Sequence, residues 1–305
     1  MTSVPARPAQ PAQPAQPAQP AQPALPGTLG TGPDPSVQRA TVPVDAPRVL
    51  DAFDEQVRRR PAAGVPDVTV EDTGVVVRVL SPLDGWNAVA WSDLRGLSGA
   101  DVDAEIASQV RRFRRAGLPW EWKHYSHDLP ADLPVRLVAA GLTRGPDEAL
   151  MVARIADLDL EVRPPRGVSV DEVRDAAGAA DLVGVHDDVF GGDHGFVGRA
   201  VLADLDASPR SVVGVVARSE GRPVAAGRVE LHHGTQFASI WGGGTVDGWR
   251  GRGVFRAMVA FRARIAADRG FEHLQVDALP SSRPILERLG FHVVATTRPF
   301  THPGT

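Results

Sequence analysis

The 305-residue chain contains no cysteine, one tyrosine (Tyr125) and one lysine (Lys123) among 33 basic side chains. The missing cysteine excludes disulfides, thiolate nucleophiles, cysteine-ligated zinc and iron–sulfur clusters in one step. No run approaches the ~18 consecutive apolar residues of a spanning helix. No apolar segment follows Met1, so no secretory leader is expected, and a cytoplasmic location fits. Acidic residues slightly outnumber basic ones, giving a net charge of −4. That balance argues against the broad basic surface of a nucleic-acid binder. The preference for arginine over lysine matches the coding bias of a GC-rich genome and carries no chemistry of its own.

What is present divides into three parts. Residues 8–22 are Pro-Ala-Gln repeated five times. Residues 1–43 hold too little apolar surface to offset the entropy of ordering, so they are expected to form a disordered spacer with polyproline II character. Globular patterning follows, with room for about two domains at ~150 residues each. The expected boundaries are 44–158 and 159–305. In the first, a helix is expected over 46–60 and strands over 68–70, 75–80 and 86–91. Val102, Ile106, Val110 and Phe113 place a helix over 101–116, stopped by Gly117. A strand over 120–124, a short helix over 133–140 and a strand over 149–155 complete it. The second block predicts short extended segments at 160–163 and 169–170 and a largely helical stretch over 171–189. After a loop at Gly191–Gly195 comes a helix over 196–205. A hairpin of 212–217 and 224–231 follows, then a strand at 237–241 and a helix over 253–268. The last elements are a strand at 273–276, a short helix at 283–289 and a final strand at 293–296. Helix, glycine, strand and short helix recur in both blocks in the same order, which suggests a duplication. The expected fold class is α/β, with a central mixed sheet flanked by helices in each half.

One stretch carries chemistry. Trp241-Gly242-Gly243-Gly244-Thr245 runs out of a strand, and Arg250-Gly251-Arg252-Gly253-Val254-Phe255-Arg256 leads into a helix. Glycines let backbone N–H groups approach an anion, and the helix adds its N-terminal dipole and unpaired N–H groups. Arginines beside them make a pyrophosphate cradle. The Lys-Ser/Thr ending of a P-loop and the glycine spacing of a dinucleotide fingerprint are both absent. On these residues the chain resembles the GNAT-type N-acetyltransferases, whose Arg/Gln-x-x-Gly-x-Gly/Ala loop grips acetyl-CoA. Leu286-Glu287-Arg288-Leu289-Gly290-Phe291 is similar to the Tyr-Glu-Lys-Leu-Gly-Phe ending of that family. The resemblance covers about residues 160–300. Residues 45–158 resemble a degenerate second copy without the loop, an arrangement similar to that of mycothiol synthase-like tandem acyltransferases.

The resemblance implies that an amine attacks the acetyl-CoA thioester directly. It assigns the pantetheine contacts to Gly243, Gly244 and Thr245. It assigns the pyrophosphate to Arg250, Gly251, Arg252, Gly253, Val254, Phe255 and Arg256. A base is expected on the strands that face the cofactor. Glu230 is the first choice and Asp277, after the next strand, the second. Two departures stand out: Phe255 replaces a small residue, and Leu286 replaces the tyrosine that protonates the leaving thiolate. These keep open a second reading, a non-catalytic acyl-CoA-binding or scaffold protein. A third is a protein acetyltransferase that finds partners through its proline-rich tail. No metal is expected, because His124-x-x-His127 and the adjacent His232-His233 read as structural. The acceptor is an amine on a small molecule or peptide, and neither nucleic acid nor membrane is an expected partner. Gly191–Gly195 is expected to form a lip of the acceptor groove. The sequence leaves the oligomeric state open.

Overall fold

The computed structural model describes residues 45–61, 68–81 and 85–304, and the expected spacer over 1–43 lies outside them. The first half comprises α1 (Ala46–Phe53), β1 (Thr69–Asp72), β2 (Val76–Leu80), β3 (Ala88–Ser92), α2 (Gly99–Ala116), β4 (Trp120–Tyr125), α3 (Leu133–Ala139), β5 (Thr143–Arg144) and β6 (Glu148–Arg154). The second comprises β7 (Val168–Glu172), α4 (Ala176–Phe190), α5 (Gly195–Ala203), β8 (Val212–Ser219), β9 (Arg222–Leu231) and β10 (Phe237–Thr245). These are followed by α6 (Val254–Ala267), β11 (His273–Ala278), α7 (Arg283–Arg288) and β12 (His292–His302).

Local chemistry sets the boundaries. Ser98 caps α2 through the Asp101 amide, and Gly117 ends it in a left-handed conformation. Val102, Ile106 and Phe113 are buried on one face, and the Phe113 ring stacks on Trp120 at 4.5 Å. Three expectations need correction. Residues 160–161 form a turn and no strand runs over 160–163, because Asp159 accepts a hydrogen bond from the Glu161 amide. Residues 171–172 are not helical but end β7, paired with β8. Asp175 then caps α4 through the Gly178 amide, which delays the helix start. The last strand runs to His302 rather than stopping at 296. Pro299, which has no N–H for a ladder, hid that extension from a pattern reading.

The strands form one mixed sheet in the order β1-β2-β3-β4-β12-β6-β11-β10-β9-β8-β7, with β5 paired to β12. The halves exchange their last strands. β12 pairs with β4 from Thr297–Tyr125 to His302–Trp120, while β6 pairs with β11 from His273–Arg154 to Ala278–Ala149. The sheet therefore runs unbroken across residue 158. Parallel pairs β3·β4 and β10·β11 occupy matching positions on either side of the exchange. α1 covers the centre, with Phe53 against both Tyr125 and Phe237. α6 packs on one face of β9 and β10, burying Val254, Met258 and Ala263 with Ile240 and Ala238. α4 and α5 cover the other face with Leu182, Val185, Val197 and Val201. No helix among the described residues is long and apolar enough to cross a membrane.

Candidate functional site

β10 and β11 are hydrogen-bonded only over Phe237–Ser239 and His273–Gln275. Both strands continue beyond that register, to Thr245 and Ala278, paired to β9 and β6 on their other edges but not to each other. β10 also carries a bulge against β9 between Trp241 and Gly244. The result is a cleft between two parallel strands. It is lined by Ile240, Trp241, Gly242 and Gly243 of β10, Phe255 and Arg262 of α6, and Val276 and Asp277 of β11. Leu279, Ser282 and Leu286 close the far side.

The arginine–glycine loop stands where this cleft meets the N-terminus of α6. Gly251 and Gly253 take φ +72° and +83°, a region closed to most side chains, so the turn into α6 depends on them. Gly253 occupies the cap position with no side-chain cap, leaving first-turn N–H groups for an external acceptor. The three arginines differ in their commitments. Arg250 donates from Nε to the Thr245 carbonyl at 3.0 Å and pairs with Asp247 at 2.7 Å, so it braces the loop. Arg256 pairs with Asp159 at 3.2 Å. Arg252 is exposed and stacks on the Trp249 ring at 5.0 Å. It is the loop arginine with no carboxylate partner among the described residues.

The glycine run is packed by protein side chains on both faces. A β-carbon on Gly242 (φ +60°) would fall 2.6 Å from His186 Cε1 of α4. On the opposite face, a β-carbon on Gly243 would lie 3.1 Å from the Phe255 ring and 3.2 Å from an Arg262 nitrogen. Gly244 faces Val189 and Phe190, and Thr245 is buried at the strand end. Val254 is buried in the core at the start of α6. The ring of Phe255 thus packs on Gly243, one of the positions to which the family resemblance assigned pantetheine contacts.

Of the two candidate bases, neither carboxylate stands alone. Glu230 accepts from Arg228 Nε at 2.7 Å on the solvent-accessible end of β9. Asp277 is 3.0 Å from Lys123 Nζ, which also contacts Glu148 at 2.8 Å. Burial works against the lysine charge, but Asp277 and Glu148 more than offset it and raise its pKa well above the usual value. Asp277 also ends a hydrogen-bonded line across the sheet. Gln275 donates to it at 2.8 Å and accepts from Ser239 at 2.7 Å. Ser239 has only one hydroxyl proton, so it accepts from His232 Nε2 at 2.7 Å.

Three residues were missed by the sequence reading. Lys123 reaches the second half only because β4, β12, β6 and β11 lie side by side. His186 and Arg262 left a readable mark, since each interrupts an apolar helical row. His186 lies four residues from Leu182 and from Phe190, and Arg262 four from Met258 and from Ala266. His186 is 1% exposed with Nε2 unpartnered. Burial, then the Arg228 and His194 charges, push its pKa down to about 3, and the Gly242 backbone offsets only part of that.

No family model matches the chain, and no curated protein sequence matches it. Solved structures do. A GCN5-related N-acetyltransferase from Kribbella flavida superposes with a TM-score of 0.62 at 20% identity, over 86% of this chain and 96% of that one. A conserved protein of unknown function from Staphylococcus epidermidis gives 0.58 at 14% identity, over 82% and 97%. A tandem GNAT protein from the clavulanic acid biosynthesis pathway gives 0.56 at 11% identity, over 88% and 90%. The chain has the GNAT fold in its tandem form, as its sequence motifs implied.

Proposed function

We propose that the chain is a GNAT-family N-acyltransferase that moves an acetyl or related acyl group from coenzyme A to an amine, with residues 159–305 as the working half. The observation that carries this reading is the uncapped N-terminus of α6, with Arg252 beside it, opening onto the cleft between β10 and β11. Backbone N–H groups at Gly251–Phe255 and the Arg252 guanidinium offer a pyrophosphate its hydrogen bonds and charge. The edge of β10 at Gly243, Gly244 and Thr245 offers unpaired backbone groups to an extended pantetheine arm.

In the reaction, the amine nitrogen forms a bond to the thioester carbon as the carbon–sulfur bond breaks. The nitrogen passes its proton to a base, and the departing thiolate takes one from water. Glu230 is the proposed base, with Arg228 holding its carboxylate at the groove. Arg228, Glu230 and the loop carrying His194 make up the acceptor side, suited to an amine on a small molecule or peptide. Leu286 is buried beside the cleft and supplies no proton. A thiolate leaves unaided far more readily than an alkoxide, so the chemistry survives without that tyrosine. No step calls on a metal.

Calorimetry of the native chain and of Arg252→Glu with acetyl-CoA tests the reading. Micromolar binding, about −8 kcal/mol, that the charge reversal weakens at least tenfold supports it. Absence of binding to coenzyme A and its esters refutes it, and favours the non-catalytic scaffold instead.

A further inference from the structure

Arg262 is the most unusual charged group in the molecule. It is 1% exposed, on the α6 face turned to the sheet. Its Nε donates to the Met258 carbonyl at 3.0 Å, one turn back in its own helix. One terminal nitrogen makes two long contacts of 3.4 Å, to the Arg228 and Trp241 carbonyls. The other, Nη2, has no partner. Among the described residues no carboxylate pairs with it. Burial, joined by repulsion from Arg228, lowers its pKa to about 10, so it remains a cation at neutral pH.

The surroundings are shaped to keep this guanidinium where it is. A β-carbon on Gly227 of β9 would come within 2.8 Å of Nη1, and one on Gly243 of β10 within 3.2 Å of Nη2. Two glycines on neighbouring strands thus make room for one planar cation at the floor of the cleft. Ile240, Val276, Leu279 and Phe255 make most of the remaining lining apolar, while Asp277, whose charge is matched by Lys123, and Ser282 add polar side chains. A buried cation with one terminal nitrogen unmet costs stability, and an anion brought in by a ligand would offset that cost. The planar fork of arginine matches a carboxylate in shape as well as charge.

From this geometry we infer that the cleft selects an acyl donor whose acyl group ends in a carboxylate, the coenzyme A ester of a short dicarboxylic acid, with Arg262 receiving that carboxylate. The inference rests on the acyl-CoA reading above and names its donor class. A plain acetyl or butyryl group would fill the apolar walls but leave Nη2 unmet. A neutral thioester oxygen would give Nη2 a hydrogen bond but no countercharge.

The test compares coenzyme A, butyryl-CoA and succinyl-CoA by calorimetry on the native protein. The two esters have four-carbon chains and differ chiefly in the terminal carboxylate. Succinyl-CoA is expected to bind at least tenfold more tightly than butyryl-CoA. In Arg262→Met that preference is expected to vanish or invert, with circular dichroism confirming the fold. If coenzyme A and butyryl-CoA bind but succinyl-CoA binds no better, the inference fails while the acyl-CoA reading stands. If none of the three binds, both fail. The native comparison decides the matter even if the methionine variant does not fold.

Discussion

His186 makes the stability of this protein depend on mild acid. Its ring is buried between α4 and the β10 bulge, with a pKa of about 3 in the folded chain against 6.5 when solvated. Between these values the unfolded chain binds a proton that the folded chain does not. Stability therefore rises with pH across this window and falls as pH drops through it. Applying the linkage relation to the two pKa values, lowering the pH from 7 to 5 removes about 2 kcal/mol. Continuing to pH 3 removes more than twice that from this one group. His232 and His273, also depressed by burial, add to the same slope. The assay is urea denaturation at pH 7, 6 and 5 on the native chain and on His186→Gln. The glutamine variant starts less stable, because its amide fills the imidazole site poorly. Its loss between pH 7 and pH 5 should nevertheless be smaller than that of the native chain by about 2 kcal/mol. Parallel pH profiles for the two proteins would refute the reasoning.

Two further predictions concern the cleft and the exchanged strands. Phe255→Ala removes the ring that stands 3.1 Å from the β position of Gly243. It should widen the slot and tighten coenzyme A binding several-fold by calorimetry, and weaker binding would mean that the ring is a contact rather than an obstruction. Phe300→Ala takes a fully buried ring from the part of β12 that lies against β4. It should cost about 3–5 kcal/mol in chemical denaturation, and a loss under 1 kcal/mol would contradict the strand exchange.

Much of the fold was legible in sequence because it depends on local rules. Ser98 and Gly117 bracket α2, the apolar row Val102, Ile106 and Phe113 gives it a face, and the turn around Gly221 joins β8 to β9. The arginine–glycine loop was legible for the same reason, since the strand, glycines and helix start that form it lie within a dozen residues, and its role as an anion site is the proposal built on them. What each loop arginine does was not legible. Arg250 and Arg256 find carboxylates at Asp247 and Asp159, and only the folded arrangement leaves Arg252 on the Trp249 ring with no carboxylate among the described residues.

The sequence by itself determined most element types, the likeness of the two halves and the position of the loop, because periodicity, caps and glycine conformations act over a few residues. Only the tertiary structure decided that β6 and β12 trade places, because pairing partners are chosen by long-range burial and register. That exchange brings Lys123 of β4 to Asp277 of β11, with β12 and β6 lying between their strands. The tertiary structure alone also turned Arg262 and His186 from irregularities in apolar rows into buried groups, Arg262 at the cleft and His186 against the other face of the β10 bulge. The energy of a charge depends on what surrounds it in space, and neither residue has its decisive neighbours nearby in sequence.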